Sequence, residues 1–188
     1  MKYLFKYSAT LVLLLVLFSS CRKEPVYDVV PNIEFKRVEK STFDEFGLKR
    51  DRISIVVGFQ DGDGNLGLTR TSDTTHADLR RPFNFGSPYY NNFITKLYIK
   101  RLQQNGESRF EEYIFPVQGF DFSGRFPRLS SDDRTEPLEG DIKYSFDITS
   151  DLFRIGDVIK LDVFIYDRTL PVPNRSNIVT TSEITLFQ

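Results

Sequence analysis

Tryptophan is absent from this chain of 188 residues, and cysteine, histidine and methionine occur once each. A single cysteine, Cys21, excludes an internal disulfide. The single histidine, His76, lies in a polar stretch with no cysteine beside it, so no Cys–His pair exists. A zinc site would lack its usual ligands. A Ser–His–Asp triad would require choosing any serine, which selects nothing. No two carboxylates stand out as a glycosidase pair either. The expectation is a protein that is not an enzyme. Charge of one sign is also missing: 25 Lys and Arg face 26 Asp and Glu. Without a basic field or stripe, nucleic acid is not an expected partner. No apolar run comfortably spans a membrane, and no stretch has a convincing helical period.

What is present begins at the N-terminus. "MKYLFKYSATLVLLLVLFSSC" places Lys2 and Lys6 before an apolar run from Leu11 to Phe18, then Ser19 and Ser20, then Cys21. That order is a secretory signal. The cysteine after two small residues resembles the lipobox of bacterial lipoproteins, with Phe18 in place of the usual leucine three residues before it. The resemblance implies cleavage before Cys21, diacylglycerol on its sulfur and a third acyl chain on the new N-terminus. Several chains together anchor stably where one would not. The expected organisation is a signal peptide over 1–20, a lipidated tether over 21–31 containing Pro25 and Pro31, and one domain over 32–188. Removing residues 1–20 takes away Lys2 and Lys6 and leaves a mildly acidic chain.

The domain reads as strands and turns. Eighteen Phe and nine Tyr favour half-buried pleated surfaces. "RISIVVGF" (52–59) puts Ile53, Ile55, Val57 and Phe59 on one face. "VIKLDVFIYD" (158–167) does the same with Ile159, Leu161, Val163 and Ile165. Further candidates are 33–38, 93–102, 109–115, 142–148 and 177–186, with Asn105-Gly106 marking a hairpin. "STFDEFGLKRD" (41–51) has room for one helical turn. About seven short strands predict an all-β fold, an immunoglobulin-like antiparallel β-sandwich, with a closed barrel as the other solution. In the sandwich, the second and sixth strands run the same way in opposite sheets. The three longest connections, 60–92, 116–141 and 168–176, then share one pole, and localised function is expected there.

That pole contains "FQDGDGNLGL" (59–68). Asp61, Asp63 and Asn65 stand at alternate positions, as at the start of a calcium loop. An EF-hand is excluded, because its twelfth position would be Ser72, its glycine is misplaced and a strand precedes it. Two readings remain. Asp61 and Asp167 each continue a core-facing row, so a cation between them, Ca²⁺ by ligand type, would clamp two loops with oxygens from Asp63 and Asn65. Alternatively, both aspartates simply accept backbone N–H bonds in turns. Asn174 and Asn177 supply carbonyl oxygens near Asp167. Arg125 and Arg128 either pair with the acidic loops or are solvated surface charge. Tyr89 and Tyr90 offer a stacking platform or a core edge.

The combination of "FQDGDGNLGL", "GRFPRL", "EPLEGDIKY" and "IYDRTLPVPNRSNIVTT" behind a lipobox resembles a group of Bacteroidota lipoproteins and covers most of the mature chain. The resemblance carries no activity. It implies a lipid-anchored outer-membrane protein, some of whose kind are accessory parts of envelope complexes; whether the periplasmic or the cell-surface face is meant stays open. The expected role is an accessory or interaction subunit whose partner is another outer-membrane or periplasmic protein. The alternative is a glycan- or nutrient-binding lipoprotein at the cell surface.

Overall fold

The structure, a computed structural model, describes residues 25–69, 77–130 and 134–188. The segment expected to be a signal peptide (1–20), Cys21 and His76 lie outside the described residues. Among the described residues eight strands follow one another: β1 (Asn32–Glu45), β2 (Leu48–Asp61), β3 (Phe93–Leu102), β4 (Ser108–Glu112), β5 (Leu138–Thr149), β6 (Val158–Ile165), β7 (Val179–Thr180) and β8 (Ile184–Thr185). They form two antiparallel sheets that pack as a sandwich. One has the order β1-β2-β5; the other has the order β4-β3-β6-β7, with β8 pairing further along β6. This is the all-β antiparallel sandwich expected from the sequence, with β2 and β6 inside opposite sheets.

Period-two alternation explains the core. Ile53, Ile55, Val57 and Phe59 of β2 are buried in one cluster with Ile159, Leu161, Val163 and Ile165 of β6. Fully burying each aliphatic side chain contributes about 1.5–3 kcal/mol. Two stacked aromatic pairs add to this layer. Phe93 stacks on Tyr144, and Phe122 on Phe146, each with centroids 4.5 Å apart.

Three parts of the sequence reading are corrected. Residues 41–51 hold no helical turn but extend β1 and β2 into a long ribbon. Its two-residue turn is Phe46-Gly47, both at positive φ (53° and 78°). Phe is an uncommon residue there, which hid the hairpin. Cross-strand charge holds the ribbon tip, with Arg50 2.9 Å from Glu45 and Lys49 3.6 Å from Asp44. The last expected strand, 177–186, is instead the two short strands β7 and β8. Between them Thr181 is occupied with Leu161: its amide donates to the Leu161 carbonyl and its hydroxyl accepts from the Leu161 amide. Finally, the stretch expected to be tether is docked from Tyr27 onward. The Tyr27 hydroxyl donates to Glu139, the Gly62 amide donates to the Asp28 carbonyl, and Pro31 is buried.

Candidate functional site

The described parts of three connections meet at one end of the sandwich: 62–69 with 77–92, 113–130 with 134–137, and 166–178. Leu66 bridges to Asp167, the Leu68 amide donates to the Phe126 carbonyl, and the Leu129 amide donates to the Leu66 carbonyl. Asp61 ends β2 and Asp167 follows β6, so their proximity shows that these two strands run the same way. The pole is plugged rather than open. Leu66 and Leu68 turn into the interior immediately after Asn65, and Gly67 (φ 86°) lets the chain pass where a Cβ would run into the Pro127 carbonyl.

Arg125 and Arg128 hold this pole together. The Arg125 guanidinium donates to the carbonyls of Tyr90 (2.5 Å), Phe83 (2.7 Å), Thr69 (3.2 Å) and Asp78 (3.3 Å), and it lies 4.6 Å over the Tyr90 ring. Arg128 grips Asp78 through two bonds of 2.8 Å. The Thr69 amide and hydroxyl both donate to the same carboxylate at 2.9 Å. Burial pushes the Asp78 carboxyl up, but the bonds from Arg128 and Thr69 outweigh it and hold the group well below the usual carboxylate range. The reading of both arginines as solvated charge is therefore corrected. Backbone carbonyls gathered from four separate positions carry no sequence pattern, so nothing in the chain announced this role for Arg125.

The aspartates divide sharply. Asp167 is buried and accepts four bonds. The Thr169 and Asn174 amides reach Oδ1 at 3.0 and 2.6 Å, and the Thr169 hydroxyl and Asn174 Nδ2 reach Oδ2 at 2.8 Å each. A carboxylate offers about four lone-pair sites, so Asp167 is saturated by its own loop. Asp61 is the opposite case. It is 0% exposed, yet neither carboxylate oxygen has a hydrogen-bond partner. Burial foremost, then the charges of Asp63 and Asp167, push its carboxyl up to about 7; the nearby Asn65 amide opposes this without completing a bond. Asp63 Oδ1 is also buried and unpartnered, while its Oδ2 accepts from Asn65 Nδ2 at 2.8 Å. Asp51, at the other end of β2, shows how this fold normally satisfies a buried aspartate. It accepts from the Thr42 hydroxyl (2.6 Å) and the Phe187 amide (2.7 Å), with Lys40 Nζ 3.4 Å away.

The two asparagines expected beside Asp167 also differ. Asn174 is there but presents its NH₂ rather than its carbonyl oxygen. Asn177 is elsewhere: its side-chain amide exchanges bonds of 2.7 and 2.8 Å with the backbone of Ile33, tying the last connection to β1. Tyr89 and Tyr90 form no shared platform. Tyr90 carries Arg125 and meets Phe85 edge-on at 5.4 Å, whereas Tyr89 meets Tyr166 edge-on at 5.1 Å. Beside Tyr89 the structure opens a cleft of about 680 Å³ between residues 81–89 and the Leu170-Pro171 corner. Its lining is mixed, with Arg81, Asn84 and Ser87 beside apolar groups, and solvent-facing, with Phe85 84% and Leu170 65% exposed. No protein-family model, curated protein or solved structure matches the chain.

Proposed function

We propose that this protein is a lipid-anchored, non-catalytic component of the outer membrane that binds another envelope protein through its loop pole. The cleft between 81–89 and Leu170-Pro171 is the observation that carries the reading. Exposed aromatic and aliphatic side chains around a cleft are the usual anchors of a protein interface. Here they stand on a frame fixed from behind, because Arg125 ties Phe83 and Tyr90 to Thr69 and Asp78. A preorganised surface loses little entropy on binding. The lipid-anchored part of the reading is supported by the order of Lys2, the apolar run, Ser19, Ser20 and Cys21.

Recovery of the protein from mild detergent tests the interface. Wild type is expected to retain one or more outer-membrane proteins, and a Phe85→Asp/Leu170→Asp variant to lose them while melting normally, since both side chains are exposed. Unchanged co-purification would rule out the cleft. Retention on a glycan array without a protein partner would favour the nutrient-binding alternative. Anchoring has its own test. Cys21→Ala is expected to leave the membrane fraction as soluble protein, or to stay there as an uncleaved precursor. A variant of mature size still found in the outer membrane would exclude acylation as the anchor.

A further inference from the structure

We propose that Asp61 and Asp63 form the carboxylate pair of a divalent-cation site, of the hard, oxygen-liganded Ca²⁺ class, at the end of β2. The inference does not depend on the binding role proposed above. Its ground is an accounting of donors. A buried carboxylate is normally paired with a cation or supplied with N–H and O–H donors, since leaving it bare is costly. Both Asp61 oxygens and Asp63 Oδ1 are buried without a hydrogen-bond partner, the Asn65 amide near Asp61 falling short of a bond. None of the ion pairs among the described residues includes either residue. The groups whose charge Asp61 feels are acidic, Asp63 and Asp167. Carboxylate oxygens gathered in a buried place, with no cation paired to them, make a site that suits a metal cation.

The chemistry of the cation follows from the donor set. Neither histidine nor cysteine is at hand among the described residues, which disfavours zinc and other softer metals. Among the described residues no third Asp, Glu, His or Cys stands in ligand position. Backbone carbonyls and water therefore complete the sphere, as is common for Ca²⁺ in irregular loops. The four residues that the sequence suggested thus separate. Asp61 and Asp63 keep open lone pairs, Asp167 is saturated and contributes only its charge, and Asn65 turns its NH₂ toward Asp63.

The test uses the purified protein with CaCl₂, MgCl₂ or EDTA at one pH, read by thermal melting and titration calorimetry. Calcium is expected to raise Tm by roughly 5 °C or more over EDTA, at a hundredfold excess over its Kd, and to give a saturable heat with one ion per chain. Asp61→Asn is expected to abolish that rise and, in EDTA, to melt at or above wild type, because a buried charge is gone. Asp63→Asn, at a half-exposed position, is expected to weaken the response at least tenfold. Equal melting of wild type in calcium and EDTA, with no heat, would overturn the proposal. So would an Asp61→Asn variant that melts well below wild type in EDTA, which would make the side chain a turn acceptor. A response to MgCl₂ equal to that to CaCl₂ would overturn the assignment to the calcium class.

Discussion

Val163→Asp is expected to unfold the protein or to leave it barely folded. Residue 163 is in the middle of β6, fully buried and paired in register with Thr95 of β3 and Val179 of β7. Its side chain belongs to the cluster that joins Ile159, Leu161 and Ile165 to Ile53, Ile55 and Val57 of the opposite sheet. That cluster offers an aspartate no donor and no cation. The variant must bury an unpaired charge or protonate it, and either course costs several kcal/mol, about 3–5 by the measured cost of uncompensated buried charges. Domains of this size are stable by only about 5–15 kcal/mol in total. The neighbouring Asp162 provides the control. It faces the other side of β6, where it accepts from the Thr180 hydroxyl at 2.6 Å, and Asp162→Asn is expected to change stability by less than about 1 kcal/mol. Urea unfolding followed by circular dichroism measures both variants. A Val163→Asp protein with the wild-type midpoint would remove β6 from the core.

The contrast between residues 162 and 163 also shows why this part of the fold was legible in the sequence. On β2 and β6 the apolar rows repeat at every second residue, so the core-facing set follows from spacing, although Val56 and Phe164 of the opposite faces are buried as well. Continuing the same parity by one step places Asp61 inside, and the structure buries it. Parity says nothing of donors, however. Asp61 and Asp167 are equivalent by pattern, and they differ because Thr169 and Asn174 fold back to donate to one of them while no group completes a hydrogen bond to the other. Such local closures depend on backbone direction within an irregular loop. The same limit hid the hairpin at Phe46-Gly47, where a residue rare at positive φ makes the turn. It also hid Asn177, whose partner Ile33 is 144 residues away. Arg125 was the least legible, because its partners are mainly carbonyls, which every residue has.

The second large effect is expected at Asp78, and its signature is a dependence on pH. Among the described residues this carboxylate joins its own one-turn 3₁₀ segment (Ala77–Leu79) to Thr69 and Arg128. Asp78→Asn keeps the shape and one acceptor but loses the charge that Arg128 grips with two bonds. The Arg128 side chain is only 22% exposed, so water replaces the lost partner incompletely. A loss of about 2–3 kcal/mol near neutral pH is expected, between an ordinary charged hydrogen bond and a broken buried ion pair. Because the folded carboxyl is held below its unfolded value, its contribution is complete above the unfolded pKa, about 4, and fades as pH falls through the folded value. The asparagine has no such proton to take up. Wild type and variant should therefore differ most at about pH 7, and the gap should narrow at about pH 3 and below. Urea midpoints across that range decide the matter: a gap of constant size would mean that shape, and not the Asp78 charge, holds the pole.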